Sequence, residues 1–100
     1  MLTHLVMWKF KTDHLGKTPR EHAQWMKDRL ETLAPLLPGV VSLSVRLNEK
    51  DSPSAWDAAL VSVFTDSLAL ENYKNDPRHR EISAYCKSAR TDRACVDFEN

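Results

Sequence analysis

The chain reads as an α+β protein of the split βαβ, or ferredoxin-like, class: a βαββαβ protomer with a four-stranded antiparallel sheet and helices on one face. Three observations carry this expectation. Apolar residues recur with period two in four segments and with helical spacing between them, in the order strand, helix, strand, strand, helix, strand. The first and third of these strands are apolar on both faces, as central strands covered from both sides must be. The length of 100 residues suits one domain, residues 1–100, with a modest core.

In order along the chain, Leu2 to Lys11 alternates, with His4, Val6, Trp8 and Phe10 on one face and Leu5, Met7 and Lys9 on the other. Asp13 to Lys17 is a polar turn. Thr18-Pro19-Arg20-Glu21 is a capping box with proline at the first helical position, so a helix starts there. Ala23, Met26, Leu30 and Leu33 form its apolar stripe, and Lys27, Asp28 and Glu31 are expected in solvent. Pro35 biases Ala34 away from helical backbone, which ends the helix near Leu33, and Pro38-Gly39 makes a turn.

Val40 to Asn48 alternates again and predicts one dry face of Val41, Leu43, Val45 and Leu47. A polar loop containing Pro53 leads to a strand over Trp56 to Thr65, with Ala58, Leu60 and Phe64 against Ala59, Val61 and Val63. Asp66 or Ser67 caps a short helix through Leu70 and Tyr73. Asp76 caps a new segment with Pro77 at its first position, and His79, Ile82, Cys86 and Ala89 lie along one stripe of it. Thr91 to Phe98 closes the chain, with Ala94, Val96 and Phe98 alternating against Cys95 and Asp97.

Composition removes several classes of function. Lys plus Arg number 14, equal to Asp plus Glu, and charges of both signs alternate, so there is no electrostatic footprint for nucleic acid or a membrane surface. No apolar run approaches a bilayer span, and Met1-Leu2-Thr3-His4 leads straight into strand alternation; the expectation is an unprocessed cytoplasmic chain. Cys86 and Cys95 fit no metal spacing and are expected to be reduced, small apolar fillers. His14 and His22 have no helical partner for a metal, so no metal site is expected.

Two helical regions cover one face of the sheet. The other, around Leu5 and Met7, needs a second layer, and a second copy of the same sheet is the simplest one, which predicts a homodimer. A monomer with an apolar open sheet is the alternative.

The chemistry-bearing residues gather near Tyr73-Lys74-Asn75-Asp76-Pro77-Arg78-His79. His79 points inward, and both burial and the positive helix end lower its pKa, leaving a neutral imidazole able to act as a general base. Tyr73 is about one turn upstream and is placed to donate a hydrogen bond to a carbonyl oxygen as charge develops there. His4, beside Val6 and Trp8 on its strand, is the orienting group. Val6, Trp8 and Ile82 are the expected apolar walls of the ligand pocket. The same three polar residues also fit a bland reading, two satisfied core histidines and an edge tyrosine with a wet hydroxyl.

The sequence resembles the stress-responsive A/B barrel, or Dabb, domain. The resemblance is carried by Thr3-His4-Leu5-Val6-Met7-Trp8-Lys9-Phe10-Lys11, Pro38-Gly39-Val40-Val41-Ser42-Leu43, Trp56 through Phe64, Tyr73 with Pro77 and His79, and Val96-Asp97-Phe98. It implies a ferredoxin-like protomer in a dimeric α+β barrel. The family is functionally mixed: it includes plant stress-associated proteins and a polyketide cyclase of the olivetolic-acid type that closes a ring by aldol-type chemistry with histidines and a tyrosine. His4, Tyr73 and His79 match that cyclase's polar positions, whereas Asp76 stands where members often have histidine.

The resemblance thus implies cofactor-free lyase or cyclase chemistry on a small aromatic or hydrophobic molecule bound between sheet and helices. A non-catalytic stress-response or ligand-carrier dimer is the alternative. A cofactor-free monooxygenase on a similar barrel is a third, by fold analogy.

Overall fold

The computed structural model describes residues 1–100. Strand β1 (Leu2–Phe10) is followed by helix α1 (Pro19–Leu33), a short 3-10 turn (Ala34–Leu36), β2 (Val40–Leu47), β3 (Ala58–Phe64), α2 (Ser67–Asn75), α3 (Pro77–Ala89) and β4 (Arg90–Glu99). The sheet order is β2-β3-β1-β4, and every neighbouring pair is antiparallel. The first and third strands are central, as their two apolar faces require.

Register decides what the helices look down on. His4 lies opposite Ser62 on one side and Asp97 on the other, Val6 opposite Leu60 and Cys95, and Trp8 opposite Ala58 and Arg93. Because opposed residues share a face, β4 presents Arg93, Cys95 and Asp97 on the same side as His4, Val6 and Trp8. The core forms on this side, where Val6, Leu60 and Phe64 pack with Met26, Leu30, Leu70, Tyr73 and Ile82.

The helix starts follow the local sequence. Thr18 and Glu21 complete the capping box reciprocally, an arrangement whose cap alone contributes about 1 kcal/mol. Ala23, Met26, Leu30 and Leu33 are buried along α1. Lys27 and Glu31, however, do not simply face water. Lys27 Nζ donates to the Val45 carbonyl at 2.8 Å, and the Val45 N–H donates to Glu31 Oε2 at 2.9 Å. Strand β2 is an edge strand, and this ion pair satisfies backbone groups that no further strand reaches.

Three other expectations are corrected. Ala34 keeps helical backbone, φ −52° and ψ −46°, in spite of Pro35; its small side chain tolerates the crowding, and its carbonyl accepts from the Leu37 N–H at 3.2 Å to close the turn. Val41 leaves the dry face, because the register shifts between Val40 and Ser42 and a β-bulge places it 48% exposed. Cys95 is exposed rather than a buried filler, since β4 is the other edge of the sheet, while Cys86 is buried; both thiols are free.

The face away from the helices is bare. Leu5, Met7, Ala59, Val61, Ala94 and Val96 line a shallow groove of about 380 Å³ with wholly hydrophobic walls. Met7 is 41%, Val61 45% and Val96 53% exposed. No helix is long and apolar enough to cross a membrane.

Candidate functional site

The site is built at the break between α2 and α3. Asp66 caps α2 by accepting from the Ala69 N–H at 2.8 Å, and the stripe of Ala69, Leu70 and Tyr73 turns inward. Pro77 has no N–H, and the Arg78 N–H, which would bond the Lys74 carbonyl in an unbroken helix, goes to Asp76 Oδ1 at 2.9 Å instead. The Lys74 carbonyl is therefore open to a side chain, and the His79 Nδ1–H donates to it at 3.2 Å. That bond fixes the tautomer: the lone pair is on Nε2, which has no partner within the chain.

Tyr73 and His79 are thereby folded against each other, with ring centroids 4.4 Å apart, and Phe64 packs on Tyr73 at 5.3 Å. The Tyr73 side chain is fully buried, yet its hydroxyl meets no hydrogen-bond partner. An unmet buried hydroxyl costs about 1–3 kcal/mol. Burial pushes the phenol far above its ordinary pKa of 10, so it stays protonated and acts as a donor.

His4 reaches the same place from β1. Its Nδ1–H donates to Asp97 Oδ1, and its carbonyl accepts from Ser62 Oγ at 2.9 Å. Burial pulls the His4 imidazole below its usual 6.5, against the opposing hydrogen bond and charge of Asp97. Desolvation is the largest influence on Asp97 and works upward, but the hydrogen bond and charge of His4, the charge of Lys74 and the Cys95 thiol together outweigh it and the carboxyl stays below its ordinary value. The pair is a neutral imidazole on an ionised carboxylate.

His79 is half-buried and shifts the same way. Burial lowers its pKa, the Lys74 carbonyl opposes this, and the neighbouring His4 and Arg93 push it down further. Both histidines are neutral near pH 7, and each carries a free Nε2 lone pair. Asp76, by contrast, is held down to about 2 by the hydrogen bond from Arg78 and serves as the cap.

The six residues singled out in the sequence, His4, Tyr73, His79, Val6, Trp8 and Ile82, all line one cavity under the sheet, of about 50 Å³. That holds one or two water-sized groups; an aromatic ring occupies a cavity of roughly 150 Å³. The larger space lies outside. His4 and His79 also line an open cleft of about 510 Å³ whose other walls include Lys74, Arg80, Lys87 and Arg93 and no acidic residue.

Asp97, which fixes His4, was not singled out in the sequence, and Arg93, which lines both spaces, reads there only as part of a basic, solvated stretch with Lys87 and Arg90. Their signal was their inward alternation in the last strand, readable only once β4 is known to pair with β1. His4, Cys95 and Asp97 each bring a potential ligand atom within 4.8 Å of one another, but the His4 nitrogen that faces Asp97 carries the proton of their hydrogen bond and so has no lone pair for a metal. His14 and His22 form no such set. The buried His22 accepts at Nδ1 from the Tyr85 hydroxyl at 2.7 Å and donates from Nε2 to the His14 carbonyl at 3.0 Å, so both its nitrogens are satisfied. Trp25 stacks on Tyr85 at 3.9 Å and anchors α1 to α3.

Fold and site together define a small α+β protein with a polar trio enclosed between its sheet and its broken second helix region. The chain belongs to the stress responsive A/B barrel domain (Dabb) family, whose pattern it matches over residues 2–100. Among solved structures it is similar to a dimeric ferredoxin-like protein of unknown function from Jannaschia sp. CCS1, with 26% identity, a TM-score of 0.80, and coverage of 99% of this chain and 98% of that one. A dimeric ferredoxin-like protein of unknown function from Bacteroides fragilis gives 23% identity and a TM-score of 0.76, covering 99% of this chain and 95% of that one. The hydroxynitrile lyase of Passiflora edulis shares the fold at 13% identity, with a TM-score of 0.77 over 97% of this chain and 90% of that one. No curated protein matches the chain in sequence.

Proposed function

We propose that the protein is a homodimer whose protomers each carry a cofactor-free acid–base site for a small carbonyl compound, of the lyase or cyclase type. The observation that carries this reading is the Tyr73 hydroxyl: buried, protonated, without a partner, and packed against a histidine whose remaining nitrogen is a free base. A carbonyl oxygen in the cavity would accept from Tyr73. His79 Nε2 takes a proton from the carbon beside the carbonyl; the C–H electron pair becomes the C=C bond of an enolate, and the carbonyl π pair moves onto the oxygen held by Tyr73. His4, locked by Asp97, orients the ligand. In a cyclase the enolate carbon adds to a second carbonyl carbon of the ligand, whose π pair becomes an alkoxide that takes back the proton held by His79; a lyase runs these same steps in reverse.

An inner cavity of about 50 Å³ has room for little more than a carbonyl and its neighbouring carbon, so the rest of the ligand lies in the outer cleft. The bare apolar sheet face supports the dimer, packed face to face with a second copy, and the Jannaschia and Bacteroides proteins of this fold are described as dimeric. The Passiflora lyase lends only the fold; the chemistry rests on the site.

The test is hydrogen–deuterium exchange at the methyl carbon of acetophenone in D2O, followed by proton NMR. The wild-type protein should exchange it faster than buffer, and His79→Asn should lose about 100-fold or more of that rate. Binding of the ketone without any exchange would instead make the protein a ligand carrier and overturn the acid–base reading.

A further inference from the structure

The outer cleft has a chemical character that the net charge of zero conceals. Lys74, Arg80, Lys87 and Arg93 converge on it together with the two neutral histidines, and no carboxylate lines it. Three of the four cations stand without an ion-pair partner; Lys74 Nζ lies 3.9 Å from Glu71. Arg80 donates to Asn75 Oδ1 at 3.1 Å, whereas the Arg93 guanidinium makes neither a hydrogen bond nor an ion pair. Arg93 is also the one cation that borders both the cleft and the inner cavity, a place that follows from its register opposite Trp8 on the helix-facing side of β4.

We propose that the ligand of this site is a carboxylate-bearing carbonyl compound, an oxo acid, with its carboxylate on the Arg93 fork at the neck of the cavity and its carbonyl on Tyr73. A guanidinium with free donors matches a planar carboxylate through two parallel hydrogen bonds, which sets orientation as well as affinity. Lys74, Arg80 and Lys87 supply the surrounding positive field that draws an anion into the cleft. The proposal rests on the acid–base reading for the carbonyl end, while the anion end stands on Arg93 and the cleft alone.

The probe is 4-oxo-4-phenylbutanoate, compared with its uncharged primary amide, each titrated into the protein and followed by NMR shifts. The wild-type protein should bind the carboxylate about tenfold or more tightly than the amide, as expected for hydrogen bonds to a charged group. Arg93→Gln should bring the carboxylate down to the affinity of the amide, and Arg93→Lys should fall between. Equal affinities in the wild type, a preference that survives in Arg93→Gln, or no binding of either compound at millimolar concentration overturns the proposal. The two readings fail separately. Exchange of acetophenone without carboxylate preference removes the oxo-acid assignment alone, and an Arg93-dependent carboxylate preference without exchange removes the acid–base reading alone.

Discussion

The rings of Tyr73 and His79 lie 4.4 Å apart at an interplanar angle of 55°, although they belong to different helices. Asp76-Pro77 turns the chain between them, and the carbonyl that the turn leaves open is the one that holds His79. The contact thus follows from one local interruption of a helix. What it encloses depends on the sheet below.

Tyr73→Phe should separate function from stability. The hydroxyl has no partner to lose, so removing it should leave stability unchanged or raise it by up to about 1 kcal/mol, while ketone exchange falls about 100-fold or more as the oxyanion donor disappears. Urea denaturation and exchange rates measured on the same sample decide this. A stability loss above about 2 kcal/mol would show that the hydroxyl has a structural partner.

Stability should fall on acidification below neutrality. His4 and His79 are both held below 6.5 in the folded protein, mainly by burial. Near pH 8 they are neutral in both states and contribute no slope. As pH drops through 6.5 the unfolded chain takes up protons that the folded chain refuses, so stability declines toward the folded-state values. Asp97, lowered from 3.8 by its pairing with His4, adds a contribution present above that value and lost as pH falls through its folded pKa. Urea midpoints should be flat from pH 7.5 to 8, above which the buried Cys86 thiol, raised to about 12, brings a decline of its own, and their acid decline should be shallower for His79→Gln, roughly as the linkage slope requires; an unchanged acid decline in that variant would remove His79 from the account.

Gly39→Ala should destabilise the fold and disturb the site at once. Gly39 has φ +82°, and a Cβ there would meet the Ala69 Cβ at 2.5 Å and Thr65 Oγ1 at 3.0 Å. Left-handed backbone and overpacking together should cost about 2–4 kcal/mol. Ala69 belongs to the first turn of the helix that carries Tyr73, so ketone affinity should weaken as well. A urea midpoint within error of wild type would contradict both effects.

Val61→Lys should break the dimer without unfolding the protomer. Val61 is 45% exposed in the middle of the apolar groove on a central strand, where a buried, unpaired ammonium would be strongly unfavourable in a face-to-face sheet interface. Sedimentation at micromolar concentration should show a wild-type dimer and a monomeric variant with unchanged circular dichroism. A wild-type monomer would remove the dimer from the proposed function.

The trio illustrates how far the sequence reaches. Tyr73 and His79 are neighbours through a capping aspartate and a proline that can be read in the chain. His4 could be placed on a strand face, but its contact with Asp97 spans 93 residues and exists only because β1 pairs with β4 in one register. Arg93 and Asp97 look like solvated charges in the sequence, as do Lys27 and Glu31, whose task is to close the edge at Val45.

By itself, then, the sequence determined the elements, their order, the helix caps and the apolar faces, since periodicity and capping depend on residues a few positions apart. Only the tertiary structure decided the partner of His4, the isolation of the Tyr73 hydroxyl, the small size of the inner cavity and the gathering of four cations beside it. Those features come from register and packing between segments distant in the chain. One-residue slips would send every strand side chain to the opposite face, and no local pattern records where the distant side chains meet.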